Sequence, residues 1–183
     1  MIVIYVLGTP APKGSSRAFM NRATGHAILA PGGSKVNALK IKAWSTAVRE
    51  QALEACGADR TAPVFICTAL LVEIVFCMAR PMGHWGKGKN AGKLVPTAPR
   101  YPATKPDIDK LVRTTLDAMT GLVFDDDSRI SRLVATKEWA RPGHEGAVIT
   151  VAERAAEIRE LTITMPGDSS RSIVSRETAT EAA

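Results

Sequence analysis

KPDIDKLVRTTLDAMTGLVFDDDSRISRLVATK, residues 105–137, is the stretch that decides the fold of this 183-residue chain. From Ile108 to Met119, apolar and small residues recur at i, i+3 and i+4, which predicts an amphipathic helix with one buried face. Asp107 suits the N-cap position, because its carboxylate can accept from unpaired backbone N–H groups. Gly121 suits the left-handed residue that ends a helix. The pattern therefore predicts a helix from about Asp107 to Thr120.

Acidic residues lie on both sides of this helix. Asp107 and Asp109 are at its start, and a triple aspartate, residues 125–127, follows its end. A helix of about 13 residues is roughly 20 Å long, and the extended segment after it can return over the same distance, so three or four carboxylates can meet. Crowded carboxylates repel unless a hard cation such as Mg²⁺ or Mn²⁺ joins them. The alternative is a helix cap and a solvated acidic turn without a metal, and spacing alone does not separate the two.

The composition is that of one globular domain with its own core. No apolar run is long enough to cross a bilayer, and the first residues lack the basic segment of a signal peptide. The three cysteines and three histidines have no metal-ligand spacing, which argues against a zinc site. These features predict a cytoplasmic protein with free thiols and no membrane association.

Positive charge is concentrated in two parts of the chain, whose net charge is +6. No acid precedes Glu50, and residues 80–113 contain acids only at Asp107 and Asp109. Acids surrounded by bases suit a metal site that must receive a polyanion. The alternative is a basic surface that only keeps the protein soluble. With the carboxylates alongside, nucleic acid is the predicted partner.

The other elements predict an α+β fold, with a mixed sheet of about four to six strands carrying two main helices. Strands are predicted at residues 2–7, 63–78, 130–139, 147–152 and 161–165, a hairpin at 19–30, and helices at 35–56 and 153–160. The strands at 130–139 and 147–152 are predicted to be antiparallel around the turn at 141–143. Residues 80–104 form a long basic loop, interpreted as a flap that DNA orders. The predicted domain is residues 1–165, and a disordered tail follows at 166–183.

Five motifs occur in order along the chain: GTPAPKGSSR near the N-terminus, FCMARP after the long apolar run, PATKPDIDKL, LDAMTG, and DDSRI followed by a lysine. Together they resemble the RusA family of Holliday-junction resolvases, over most of residues 1 to 150. The resemblance implies a RusA-like fold and an endonuclease that acts at four-way DNA junctions as a homodimer. It also implies a role in DNA recombination and repair, with a phage or prophage origin.

The resemblance further implies that Asp107, Asp109 and Asp127 are catalytic and hold Mg²⁺, for which Mn²⁺ can substitute. Asp126, beside Asp127, is a further candidate ligand. The family pattern has lysine where this chain has Arg113, so the positive charge is kept but the proton chemistry differs. Arg113 is accordingly the candidate for stabilising charge in the transition state.

The predicted DNA contacts are basic residues on either side of the acids: Lys13, Arg17, Lys87, Lys89, Lys105, Lys110 and Lys137. At Lys110 the family pattern has asparagine, so the chain carries an extra charge beside the proposed metal. Two other interpretations remain open. One is a metal-dependent phosphatase with a nucleophilic Asp-x-Asp aspartate, and the other is a junction-binding protein whose nuclease activity is weak or lost.

Overall fold

The structure, a computed structural model, describes residues 1–14, 17–22, 24–30, 35–57, 62–154, 161–164 and 172–175. In chain order the elements are β1 (Ile2–Leu7), β2 (Arg17–Met20), β3 (Ala27–Ala30), α1 (Lys35–Cys56), β4 (Leu70–Met78), α2 (Ile108–Met119), β5 (Ile130–Trp139), β6 (Gly146–Glu153), β7 (Leu161–Thr164) and β8 (Ser172–Ser175). Strands β1, β6, β4 and β5, in that order, form a mixed sheet, while β2–β3 and β7–β8 are separate antiparallel pairs. The predicted α+β class is confirmed.

Strand β4 is central because every one of its nine residues is buried. Such a strand needs a hydrogen-bonding neighbour on each side, and it pairs parallel with β5 and antiparallel with β6. The strands predicted at 130–139 and 147–152 do run antiparallel to each other, but they are not neighbours, because β4 lies between β5 and β6. The predicted strand at 63–78 is also too long: Cys67 has a φ of 59°, a left-handed conformation that ends the extended run.

One face of the sheet packs against both helices. Trp44 of α1 is buried, and its indole Nε1 donates to Thr115 Oγ1 of α2 at 3.2 Å. The predicted bounds of α1 are confirmed, but its N-terminal turns do not join the core. Val36 is 61% exposed and Leu39 is 67% exposed, although the helical spacing of apolar residues would place both on a buried face. The core therefore uses only the later part of α1.

The helix predicted between the two acidic segments is confirmed. Asp107 occupies its N-cap position with extended backbone, although the carboxylate makes no capping hydrogen bond. Gly121 has a φ of 79°, the left-handed conformation predicted for it, and its N–H donates to the carbonyl of Phe124 at 2.8 Å. This tight turn starts the return of the chain toward the beginning of α2.

Several other predictions meet the structure only in part. The domain boundary at residue 165 stays a prediction, and the helix predicted at 153–160 lies almost wholly outside the described residues.

Among the described helices, none has the length and apolar character needed to span a membrane. All three cysteines are free thiols. Burial, with a smaller effect of Glu138, raises the pKa of Cys77 to about 11.

Candidate active site

A cleft of about 440 Å³ opens between α2 and β5, the outer strand beside β4. One part of its lining is apolar, and the other carries Asp109, Arg113 and Asp127. Asp109 and Arg113 are four residues apart on α2, so they share one face of the helix. The apolar lining consists of Ile108, Val112, Leu116, Leu133 and Ala135. The structure thus brings one aspartate from each acidic segment to the same cleft.

Asp127 reaches the cleft because the chain is held on its way back from α2. The N–H of Phe65 donates to the carbonyl of Val123 at 3.0 Å, and the N–H of Asp125 donates to the carbonyl of Phe65 at 3.3 Å. These bonds form an isolated bridge between the segment before β4 and the segment before the acidic turn. This role of Phe65 was not predicted, because the apolar pattern predicted one continuous strand over residues 63–78.

Within the acidic turn, Asp125 and Asp126 have structural partners. The guanidinium of Arg129 donates to both carboxylate oxygens of Asp125, with the shortest distance, Nη2 to Oδ2, at 2.9 Å. This hydrogen bond is the main reason that the pKa of Asp125 lies below its ordinary value. The Asp126 carboxylate accepts from the N–H of Ser128 at 2.8 Å, and hydrogen bonding by the Ser128 side chain, followed by this backbone bond, lowers the pKa of Asp126. The turn therefore holds itself together with these two side chains.

At the start of α2, Asp107 has a partner of its own. The Lys110 Nζ donates to Asp107 Oδ2 at 2.5 Å across one helical turn. This bond is the main reason that the pKa of Asp107 is lowered and that of Lys110 is raised. Both side chains remain about two-fifths exposed, so solvent screens the pair. Asp107 is not among the residues that line the cleft.

The remaining charged groups of the cleft have no such partners. Within the described part of the chain, Asp109, Arg113 and Asp127 form no hydrogen bond or ion pair through their side chains. The described residues also contain no group of three His, Cys, Asp or Glu side chains that could hold a metal. The predicted meeting of three or four carboxylates is therefore not found, because near neighbours hold Asp107, Asp125 and Asp126 away from the other two.

The two cleft carboxylates nevertheless suit a hard cation. Mg²⁺ is commonly held by one or two carboxylates, with waters and substrate phosphate oxygens completing its octahedron. Asp109 and Asp127 offer that donor set, and Arg113 beside them provides a permanent positive charge for a phosphate. The arrangement can accept an anionic phosphodiester in a cleft lined by two carboxylates and a guanidinium.

The predicted DNA-binding residues differ in how the structure uses them. Lys87, Lys89 and Lys105 are exposed, and Arg17 is described only through its backbone in β2. Lys13 is ion-paired with Asp117, and its N–H donates to the carbonyl of Lys110 at 3.2 Å. Lys137 donates to two backbone carbonyls rather than pointing freely into solvent. The DNA-contact role of each residue stays a prediction.

The basic loop between β4 and α2 is attached to β5 through Trp139. The Trp139 indole Nε1 donates to the carbonyl of Pro99 at 3.0 Å, and the guanidinium of Arg80 lies over the same ring at 4.9 Å from its centroid. Arg80 also donates to that carbonyl at 3.2 Å, and His84 meets the indole edge-on. These contacts fix the loop at several points, and nothing in the sequence pattern had identified Trp139 as their centre.

The chain was compared with families of known proteins. Residues 10–151, well over half of the chain, match the family described as Endodeoxyribonuclease RusA. No curated protein matches the chain. The matched range contains α2, both acidic segments and every residue of the cleft. The chain belongs to the RusA endodeoxyribonuclease family.

Proposed function

We propose that this protein is a Mg²⁺-dependent endonuclease that hydrolyses DNA phosphodiesters at four-way junctions, in DNA recombination and repair. Membership of the RusA family supports a junction-resolving endonuclease. The observation that carries the proposal for this chain is the cleft in which Asp109, Asp127 and Arg113 are left without side-chain partners among the described residues. All three side chains are exposed, so they are accessible to a cation and to a phosphate.

In the proposed reaction the residues have separate tasks. Asp109 and Asp127 would hold the cation, and Asp107 would be a third ligand once its carboxylate is released from Lys110. The cation, when bound, supplies Lewis-acid activation of the scissile phosphate. Arg113 stabilises the negative charge that develops on the phosphate oxygens, and it does so as a fixed charge because guanidinium does not lose its proton at working pH.

Substrate binding is proposed to rest on the basic residues around the cleft. Lys87, Lys89 and Lys105 are exposed on the loop that precedes α2, where they can contact phosphates. A homodimer with two such clefts matches the two-fold symmetry of a four-way junction and allows one cut on each of two strands. The proposed location of this activity is the cytoplasm.

The decisive experiment is a cleavage assay on a synthetic four-way junction and on a linear duplex of the same sequence, each with and without Mg²⁺. The proposal expects cuts in the junction only, and only with the metal. Binding without cleavage in Mg²⁺ or Mn²⁺ would identify a junction-binding protein instead. Equal cleavage of both substrates would remove the junction specificity, and hydrolysis of a simple phosphomonoester alone would indicate a phosphatase.

A second measurement tests the role of charge in binding. If the basic residues contact phosphates, log K for the junction falls linearly with log salt concentration. For about 6–10 phosphate contacts, affinity falls by roughly 10³–10⁵-fold between about 50 and 200 mM salt. A slope near zero would mean that the positive charge only keeps the protein soluble, and the proposed binding surface would be wrong.

A further inference from the structure

Lys137 lies on β5 at a position that turns its side chain toward the helices. The strand register places it beside Phe76 of β4, which is fully buried in the core shared with α1 and α2. Two residues before it, Ala135 is on the same face of β5 and lines the cleft. The Lys137 side chain therefore starts next to the cleft, on the strand that forms one of its walls.

The ammonium group of Lys137 bridges two points of the chain immediately before α2. Its Nζ donates to the carbonyl of Thr104 at 2.8 Å and to the carbonyl of Pro106 at 3.1 Å. An ammonium has three donors, so these two bonds occupy most of its capacity. The Pro106 carbonyl belongs to the peptide bond that leads directly into Asp107. Lys137 thus connects β5 to the backbone that begins the first acidic segment.

Lysine side chains commonly form ion pairs or extend into solvent, and in the described part of the chain Lys137 does neither. Within the described residues Lys137 forms no ion pair, and it lowers the pKa of Asp107 less than the neighbouring Lys110 does. It is also half-buried, with its charge directed at backbone oxygens rather than extended into solvent. A charged donor on neutral carbonyls makes a strong, directional hydrogen bond. The geometry suits holding a segment in place more than contacting a mobile DNA backbone.

We propose that Lys137 is a positioning residue, which fixes the start of α2 against β5 and so sets where Asp107 and Asp109 lie relative to Asp127. This inference rests on the proposed function of the cleft. Asp127 is placed independently, through the bridge at Phe65, so the two acidic segments are located by different contacts. Loss of the Lys137 bonds would shift one segment and not the other. A displacement of about 1 Å between catalytic groups is enough to lower a rate by roughly 10²-fold.

The test compares Lys137→Met, which keeps the aliphatic stem and removes the donors, with Lys137→Arg, which restores them. Lys42→Met, an exposed lysine of α1, is the matched control. Three quantities are measured: the single-turnover cleavage rate, the metal-free affinity for a synthetic junction, and amide hydrogen exchange of residues 111–114 in the protein alone, where the N–H of Leu111 donates to the carbonyl of Asp107. Thermal melting of each variant establishes that it is folded.

For Lys137→Met we expect a rate about 10–100-fold lower, an affinity within about twofold of wild type, and faster exchange confined to residues 111–114. Lys137→Arg should recover most of the rate and the slow exchange. Equal losses of rate and affinity, with unchanged exchange, would make Lys137 a phosphate contact and overturn the inference. Unchanged exchange in Lys137→Met would overturn it whatever the rate. If the wild type does not cleave junctions, the proposed function fails, while the exchange comparison still decides whether Lys137 holds this segment.

Discussion

The start of α2 and the acidic turn before β5 each contain aspartates of two kinds, those bound by a neighbouring group and one that lines the cleft. In both, at least one carboxylate is taken by a nearby partner, Lys110 at the helix start and Arg129 in the turn. In both, one carboxylate, Asp109 or Asp127, is left to line the cleft. The role of each aspartate therefore follows from its neighbours rather than from the number of aspartates in the motif.

The two segments differ in how firmly they are held. Arg129 binds Asp125 through both carboxylate oxygens, and the backbone of the turn is also bridged to Phe65. The helix start is held by one solvent-exposed ion pair, by the backbone N–H of Lys13, which donates to the carbonyl of Lys110, and by the bonds from Lys137 to the preceding backbone. We therefore expect the helix start to shift more than the turn when one contact is lost. The experiments below separate the carboxylates that act in the cleft from those that only build these segments.

The largest effect is expected at the two cleft carboxylates. Asp109→Asn and Asp127→Asn should each lower the single-turnover cleavage rate by about 10³-fold or more, because the cation loses one of two unpaired ligands. Affinity for the junction should stay the same or rise, since a negative charge near the phosphates is removed. Glu54→Gln, an exposed position on α1, is the control. A fully active Asp109→Asn protein in Mg²⁺ would break the assignment of the cleft.

Asp107 tests whether a carboxylate held by a lysine still takes part. Asp107→Asn should lower the rate by about 10²-fold or more if the carboxylate leaves Lys110 to join the cation. Lys110→Met, which removes the partner but leaves the carboxylate, should change the rate by less than about tenfold, because the pair is exposed and weak. If both substitutions cost the same, Lys110 itself acts on the substrate and the comparison of the two segments must be redrawn.

Arg113 tests the positive charge between the two acidic segments. Arg113→Ala should lower the cleavage rate by about 10²-fold with little loss of junction affinity, as expected for an interaction that forms mainly in the transition state. Arg113→Lys should keep substantial activity, because a fixed positive charge remains. Single-turnover rates and a binding titration on one junction are sufficient. Equal losses of rate and affinity in Arg113→Ala would make this residue a phosphate anchor.

The smallest effect concerns stability of the turn. The hydrogen bond from Arg129 lowers the pKa of Asp125 below its ordinary value of 3.8, so the ionised carboxylate favours the folded state. That contribution is present at neutral pH and is lost as the pH falls below about 4 and through the lower pKa of the folded protein. Asp125→Asn should therefore melt on the order of 2 °C lower than wild type at pH 7.

In strong acid this difference in melting temperature should disappear, because the wild-type carboxylate is then protonated as well. The check is a series of thermal melts of both proteins between about pH 7 and pH 2. A difference that persists unchanged at the lowest pH would mean that Asp125 contributes through packing or geometry and not through its charge. The turn would then owe its rigidity to the bridge at Phe65.

Much of the fold around the cleft was predictable because its signals are local. Periodicity and a terminal glycine identify α2, and the long apolar run identifies β4 as buried. The errors arose where a strand's end or its neighbour in the sheet depends on residues far apart in the sequence. The left-handed conformation of Cys67 ends the extended run before β4 begins. In the sheet, β4 lies between β5 and β6. Neither feature is indicated by a local sequence pattern. Val36 and Leu39 follow the helical period but have no partner layer above them in the described structure.

By itself, the sequence determined the helix α2, the acids at each end of it, and the basic surroundings of those acids, because helix periodicity, capping and charge depend on residues within a few positions of one another. Only the tertiary structure decided which carboxylates are available. The distinction depends on whether Lys110, Arg129 or the backbone of Ser128 reaches a given aspartate, and on the bridge at Phe65 that returns Asp127 to the cleft. Each of these contacts requires a particular distance and angle between two groups, and the identity of the side chains alone does not specify these.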